Sequence, residues 1–152
     1  MKRKMITAAI LLFSLLSMYY AYNLSNGYYS KSFYNVEITA DTSEITLEKT
    51  GGDALINVSL ANNSRKFISS GDNVFIGYHI IDLSGNVVLF DSARFPFPDI
   101  MPFNKQEMIP VTIENIRRAG EYTVQIDMVE ENVAWFSGRG NQMYEIKLTI
   151  KD

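Results

Sequence analysis

Apolar and polar residues alternate with a period of two through most of the chain from Asn35 onward. Val36 and Ile38 alternate with polar neighbours, and the same pattern returns around Ile45 and Leu47. Because successive side chains of a β-strand point to opposite faces, this alternation predicts strands with one buried face. Further segments alternate in the same way, with apolar positions at Ile56, Val58, Leu60, Ile109, Val111, Ile113, Tyr122, Val124, Ile126, Met128, Tyr144, Ile146, Leu148 and Ile150.

One segment in the middle of the chain is almost continuously apolar instead. Residues 73–82 read Asn-Val-Phe-Ile-Gly-Tyr-His-Ile-Ile-Asp, which indicates a central strand covered on both faces. Residues 83–86, Leu-Ser-Gly-Asn, predict a tight turn, and residues 87–90 predict the returning paired strand. The prolines within residues 94–102 cannot donate ladder hydrogen bonds, so this segment is predicted to be a rigid extended crossover.

The spacing of these segments predicts an all-β fold. About seven to eight short strands follow one another, with a turn signal about every dozen residues. This pattern is typical of an antiparallel two-sheet sandwich of the immunoglobulin or fibronectin type. A closed barrel of the same size is the alternative that the pattern leaves open. The sandwich is predicted to occupy residues 35–152, a length sufficient for its own hydrophobic core.

The N-terminal region has a different character. Met1–Lys4 is basic, and it is followed by 18 uncharged residues from Met5 to Tyr22. A run of this length is at the lower limit for crossing a bilayer, and tyrosines at its end suit a membrane interface. We therefore predict a single-pass signal-anchor helix over residues 1–22 and a stalk over residues 23–34. The basic end stays in the cytoplasm, so the sandwich is placed on the extracytoplasmic side of the cell membrane. A cleaved signal and a secreted domain are the alternative.

The composition excludes several classes of function. The formal net charge is −3 and no Lys or Arg stripe is visible, so no nucleic-acid partner is expected. The chain has no cysteine, which excludes disulfides, thiol catalysis and a thiolate zinc site. His79 is the only histidine, so one chain cannot assemble a histidine-based pair or triad. We therefore predict no metal, no cofactor and no enzymatic activity.

A few side chains remain as candidates for binding. His79 lies in the middle of the predicted central strand, where we expect a structural histidine that is hydrogen-bonded across the sheet or at its surface. Trp135 is the only tryptophan, and we interpret it as closing one end of the core. Stacking of Trp135 on a sugar ring is the alternative. Arg94 is predicted to form a structural salt bridge with Glu130 or Glu131.

Carboxylates are grouped in two places along the chain. Asp127, Glu130 and Glu131 lie at the end of one strong strand, and Asp82 and Asp91 flank the predicted hairpin. A glycosidase would hold two carboxyl groups several ångströms apart across a sugar-sized cleft. A sandwich of this size leaves little room for such a cleft, so we interpret these groups as solvated charges at strand ends.

Two stretches of the chain resemble a known family. The first is Gly-Tyr-His-Ile-Ile-Asp-Leu-Ser-Gly at residues 77–85, continued by Arg-Phe-Pro-Phe-Pro at residues 94–98. The second combines Gly-Glu-Tyr at residues 120–122, Asp-Met-Val-Glu-Glu at residues 127–131 and Ala-Trp-Phe at residues 134–136. Together they resemble an immunoglobulin-like accessory domain that is appended to bacterial glycosyltransferases and other polysaccharide-biosynthesis proteins.

This resemblance covers most of residues 53–152 and has one clear departure. Residues 103–105 are Phe-Asn-Lys, where the family tends to have Pro-Gly-Glu. The resemblance implies an immunoglobulin-like fold and a cell-envelope glycan setting, and it implies no activity, because no catalytic domain accompanies it here. The polar and aromatic residues of the motif fall at Tyr78, His79, Arg94, Glu130 and Trp135, which are the residues expected to contact a ligand.

The sequence thus favours a non-enzymatic, membrane-tethered module of the cell envelope that binds a glycan or another envelope protein. The alternative is a purely structural protein–protein interaction module of an envelope complex.

Overall fold

The computed structural model describes residues 10–22, 33–64, 66–97 and 100–152. Within these ranges a helix over residues 10–22 precedes nine strands, which form two sheets. The strands are β1 (Val36–Ala40), β2 (Glu44–Glu48), β3 (Ala54–Asn62), β4 (Val74–Asp82), β5 (Val87–Leu89), β6 (Gln106–Ile113), β7 (Gly120–Glu130), β8 (Ala134–Trp135) and β9 (Tyr144–Lys151). Single 3-10 turns occur at Ser70–Asp72 and Ser137–Arg139.

The two sheets form the predicted sandwich, with one difference in strand direction. The smaller sheet has the order β1-β3-β6, and the larger sheet has the order β2-β9-β7-β4-β5 with β8 paired to β7. The expectation of a wholly antiparallel fold is wrong for β2, which runs parallel to β9 with Ile45 opposite Leu148. The chain leaves the smaller sheet after β1 and joins the larger sheet as β2. Alternation within a segment does not specify the pairing partner, so the sequence pattern could not reveal this split.

The core lies between the sheets and is built from the apolar positions of the alternating segments. Val58, Leu60, Val111, Ile126 and Ile146 are fully buried, as the period of two predicts. Burial of each such side chain contributes about 1.5–3 kcal/mol to the free energy of unfolding. The chain has no disulfide, so within the described residues this apolar layer is the main source of stability.

A tyrosine at the start of β7 fixes one corner of the sandwich. The Tyr122 hydroxyl donates a hydrogen bond to the main-chain carbonyl of Arg118, at 3.0 Å. Gly120 has a φ of 152°, and a Cβ there would lie 2.9 Å from the Tyr122 hydroxyl, so glycine is required at this position. A tyrosine that bonds back to the chain just before its strand is a hallmark of immunoglobulin-like sandwiches. The fold is therefore an immunoglobulin-like β-sandwich.

The N-terminal side of the domain starts with two core aromatics. Phe33 and Tyr34, which the sequence assigned to the stalk, are both buried, and the Tyr34 ring packs edge-to-face on Phe136 at 4.8 Å between centroids. Residues 23–32, the rest of the predicted stalk, lie outside the described residues, as do residues 1–9 of the predicted anchor. None of the helical residues that the structure describes forms a segment both long and apolar enough to cross a bilayer.

Candidate functional site

The two neighbouring candidates in β4 lie on opposite faces of the larger sheet. Tyr78 points into the core and is fully buried, and its hydroxyl oxygen accepts a hydrogen bond from the main-chain N–H of Glu114 at 2.9 Å. Burial raises the pKa of Tyr78 to about 12. Tyr78 is therefore separated from the surface residues with which the sequence motif grouped it.

His79 lies on the outer face of the larger sheet, which is the face turned away from the core. Its Nδ1 forms a hydrogen bond with the main-chain carbonyl of Phe90, just after β5. Its ring packs against Trp135 at 4.2 Å and against Phe90 at 5.0 Å between ring centroids. These contacts agree with the expected structural histidine that is bonded across the sheet.

Trp135 reaches the same outer face because β8 pairs with the end of β7. Trp135 stands opposite Val129, and its ring lies over Gly77 of β4, where a Cβ would come within 2.9 Å of the ring. Trp135 is only partly buried, so the interpretation of Trp135 as a residue that closes the core is wrong. Phe136, the next residue, is fully buried and takes that place.

Arg94 is held over Trp135 by the proline-containing crossover. Phe95 and Ile76 exchange two main-chain hydrogen bonds of 2.9 and 3.0 Å, which dock the start of the crossover on β4. The guanidinium carbon of Arg94 then lies 5.0 Å from the centre of the Trp135 ring, within the range of a cation–π contact.

The same guanidinium is paired with two carboxylates. Arg94 Nε donates to Glu131 and Nη2 donates to Asp91, while Nη1 donates to the Ser92 carbonyl at 2.8 Å. Of the two partners predicted for Arg94, Glu131 is the one that the structure shows. Glu130 instead accepts a hydrogen bond from the Tyr34 hydroxyl at 2.9 Å and does not join His79 and Trp135.

Asp127 is the residue whose environment the sequence interpretation missed. It lies opposite Gly77 in the β4–β7 register and is fully buried, so it is not a solvated charge. Oδ1 accepts the main-chain N–H of Met128 at 2.7 Å, and Oδ2 accepts that of Ser137 at 3.0 Å. Burial raises the pKa of Asp127, against the effect of these hydrogen bonds. The only sequence feature that could have indicated this burial is the position of Asp127, eight residues before Trp135 and across a tight return of the chain.

These side chains form one patch, which we call the outer-face cluster: His79, Asp91, Arg94, Asp127, Glu131 and Trp135. The Trp135 ring lies at its centre, the Arg94 guanidinium lies over that ring, and two carboxylates are paired with the guanidinium. Such a combination offers an apolar platform with charged hydrogen-bonding groups beside it. In the described ranges no group of three or more His, Asp or Glu residues is placed to hold a metal ion.

Comparison with known proteins supports the fold. No protein-family model matches the chain, and no curated protein matches it. A β-glucosidase from Listeria innocua in complex with glucose aligns with a TM-score of 0.50 and 11% identity, covering 78% of this chain and 16% of that chain. The CARDB domain of the PF1109 protein from Pyrococcus furiosus, in complex with di-metal ions, aligns with a TM-score of 0.46 and 13% identity, covering 77% and 91%.

A third structure is the ASH/PapD-like domain of human CEP192, which aligns with a TM-score of 0.39 and 15% identity and covers 80% of this chain and 87% of that domain. The chain spans only 16% of the β-glucosidase, so the likeness there concerns one part of a larger protein. At 11% identity, the likeness to the β-glucosidase concerns the fold alone.

Proposed function

We propose that this protein is a non-enzymatic binding module of the bacterial cell envelope, tethered to the membrane by its N-terminal helix, and that the outer-face cluster binds a glycan. The observation that carries this proposal is the arrangement at Trp135. The partly exposed residue Trp135 lies under a guanidinium that two carboxylates hold in place.

The chemistry of a sugar ring matches this arrangement. A pyranose has an apolar C–H face and a rim of hydroxyl groups, so it combines well with an indole ring flanked by charged acceptors and donors. Asp91 and Glu131 accept hydrogen bonds from hydroxyl groups, and Arg94 donates them. Because Arg94 is already fixed by both carboxylates, little side-chain entropy is lost when a ligand binds.

The membrane tether is supported by the surface of the N-terminal helix. Every residue from 10 to 22 is exposed, and the large apolar side chains among them keep 58–75% of their surface accessible. A helix that is apolar on all sides is stabilised by apolar surroundings, such as a bilayer or a partner helix. The basic Met1–Lys4 segment favours a cytoplasmic N-terminus and thus an extracytoplasmic domain.

The absence of catalysis in this proposal is supported by how the titratable groups are used. His79 Nδ1 is bonded to a main-chain carbonyl, and both carboxylate oxygens of Asp127 accept main-chain N–H groups. Arg94 is paired with Asp91 and Glu131. A general base has to face a substrate proton, whereas His79 Nδ1 and both Asp127 oxygens are bonded to the main chain of the protein itself.

The fluorescence of Trp135 tests the proposal directly, because Trp135 is the only tryptophan. The full chain in detergent micelles is titrated with peptidoglycan fragments and with capsular oligosaccharides. We expect a saturable shift of the emission for at least one of these glycans, because a sugar on the ring replaces water there.

Two variants make this titration specific. Glu131→Gln removes one charged acceptor at the ring and should weaken glycan binding about tenfold, which corresponds to about 1.4 kcal/mol. Glu121→Gln, at an exposed position of β7 next to Lys147, is the matched control and should bind as the wild type does. An unresponsive Trp135, together with no glycan retained in equilibrium dialysis, would contradict the proposal and favour the protein–protein interaction module.

A further inference from the structure

A second surface, at the edge of the smaller sheet, has a chemistry of its own. β1 is an edge strand of this sheet, because β3 is its only partner among the described strands. An edge strand presents main-chain N–H and C=O groups that have no neighbour in the sheet. Another chain can therefore bind to this edge through main-chain hydrogen bonds.

The register of β1 against β3 determines which groups face outward. The N–H of Asn63 donates to the carbonyl of Asn35 at 2.9 Å, and the N–H of Asp41 donates to the carbonyl of Asn57 at 3.0 Å. In an antiparallel pair, residues that exchange such bonds alternate with residues whose main-chain groups point away from the partner. The main-chain groups of the even-numbered residues, Val36, Ile38 and Ala40, therefore point away from β3.

One of these outward groups is capped by a side chain. The N–H of Val36 donates to Oδ1 of Asn141 at 3.0 Å, so an amide oxygen occupies the place where a neighbouring strand would put a carbonyl. In the part of the chain that the structure describes, no hydrogen bond reaches the main-chain groups of Ile38. The edge is thus capped at one end and open beyond it.

The open edge lies inside a groove of about 640 Å³. β1 forms one wall, and the segment from Gly140 to Tyr144 forms the other. Pairing of β9 with β2 begins only where the N–H of Lys147 meets the carbonyl of Ser43, at 2.9 Å, so the larger sheet is also open beside the groove. Among the residues that line the groove, Glu37 carries the only charge.

We propose that this groove binds an extended segment of a partner protein, which adds to the smaller sheet as a fourth strand beside β1. The main chain of the segment bonds to Ile38 and to the carbonyl of Val36. Its side chains alternate between the groove and solvent. The exposed carboxylate of Glu37 selects a Lys or Arg among the solvent-facing positions.

The shape of the groove favours a single strand over a second copy of this chain. β1 forms one wall of the groove and the Gly140–Tyr144 segment forms the other, and one extended segment fits between them. This proposal uses a different surface from the outer-face cluster and does not rest on glycan binding.

A displayed library of random twelve-residue peptides, selected on the full chain in detergent micelles, supplies the probe. The best peptide is then synthesised in two N-methylated series, one methylated at odd and one at even positions. We expect one series to lose at least tenfold in affinity and the other to bind nearly as the parent does, because alternate N–H groups of an added strand point to β1. Equal effects in both series would overturn the proposal.

Charge reversal at the groove locates the binding surface. Glu37→Lys should weaken the parent peptide at least tenfold at low salt, and the loss should shrink as salt is added. Glu114→Lys, at an exposed position just after β6 on the other edge of the smaller sheet, is the matched control and should leave the affinity unchanged. Both variants should keep the wild-type melting temperature, since neither side chain is buried.

Two further outcomes would overturn the proposal. One is selection of peptides whose affinity Glu37→Lys does not change. The other is a wild-type chain that dimerises in sedimentation experiments and becomes monomeric on Glu37→Lys substitution, since this would make a second copy the occupant of the groove. Glycan-dependent fluorescence of Trp135 is measured in the same samples, so failure of peptide binding and failure of glycan binding are read separately.

Discussion

The two faces of the larger sheet are held together by different interactions. The inner face is apolar and fully packed, and Tyr122, Val124, Ile126 and Met128 of β7 all lie in the core. The outer face, at the end of the same strand, carries Asp127 with both oxygens bonded to main-chain N–H groups. Packing of apolar volume stabilises the first face, whereas a complete set of hydrogen bonds stabilises the second.

This difference shows that neighbours in sequence can belong to separate environments. Tyr78 and His79 are adjacent in β4, yet one lies in the core and the other contacts Trp135 on the surface. A motif that contains both residues therefore describes two structural roles. Substitutions on the inner face should mainly lower the free energy of unfolding. Substitutions on the outer face should change the pH dependence of stability and the fluorescence of Trp135.

Truncation of Tyr122 should have the largest effect. Tyr122→Ala removes a buried aromatic ring together with the hydrogen bond to Arg118, and we expect a loss of about 3–5 kcal/mol in the free energy of unfolding. Urea denaturation followed by circular dichroism measures this loss. A midpoint equal to that of the wild type would contradict the assignment of Tyr122 to the core.

A conservative variant separates the two parts of this effect. Tyr122→Phe keeps the ring and removes only the hydroxyl that bonds to the Arg118 carbonyl. Its expected cost is about 1 kcal/mol, typical of one intramolecular hydrogen bond. A cost close to that of the alanine variant would mean that the hydrogen bond, and not the ring, holds the corner.

The inner face could be predicted from the sequence because its signal is local. Alternation alone identified the buried positions of β3, β6, β7 and β9, Tyr122 among them. The sequence signal for the hairpin after β4 was likewise local, since the Asp82 carboxylate accepts hydrogen bonds from the main-chain N–H groups of Ser84 and Asn86, each at 2.9 Å. Each of these features depends on residues a few positions apart.

The outer face could not be predicted in the same way. Asp127 occupies an outward position of an alternating strand, which the pattern assigns to solvent, and it is buried only because the chain returns through β8 and Ser137. The partner of Arg94 depends on where the crossover docks on β4. The parallel pairing of β2 with β9 joins distant segments, and no local pattern specifies it.

Asp127→Asn should have the second-largest effect. An amide has one carbonyl oxygen, so either the N–H of Met128 or that of Ser137 loses its acceptor and faces an NH₂ group instead. An unsatisfied buried donor costs about 1–3 kcal/mol. Thermal unfolding of the wild type and the variant in parallel measures this cost, and equal melting temperatures at every pH would contradict the enclosed site.

The stability difference between the wild type and Asp127→Asn should depend on pH in one direction. Burial raises the pKa of Asp127 in the folded protein, so the folded state holds the proton more tightly than the unfolded chain does. The resulting stability is fully present below the unfolded pKa of about 3.9 and is lost as the pH rises through the folded pKa. The advantage of the wild type over Asp127→Asn should therefore be largest near pH 4 and should narrow toward neutral pH.

A stability effect as small as that of Tyr122→Phe is expected at Gly77, and the Gly77 variant shows most directly how Trp135 packs. Gly77→Ala places a Cβ 2.9 Å from Cη2 of the Trp135 ring, which is closer than the two atoms can approach. The ring is at the end of a side chain that can rotate, so the conflict is relieved when the ring swings away from the sheet. We expect a cost of about 1 kcal/mol, at the low end for an overpacked site.

The optical signal of this variant should be much clearer than its stability change. A displaced Trp135 is more exposed to water, so its emission should shift to longer wavelength, and the cation–π contact with Arg94 should be lost. Gly138→Ala, where a Cβ meets no atom within 4 Å, is the control and should leave the emission unchanged. If Gly77→Ala kept the wild-type emission, Trp135 would not rest on β4. The platform proposed for a sugar ring would then be absent, while the packed inner face would be unaffected.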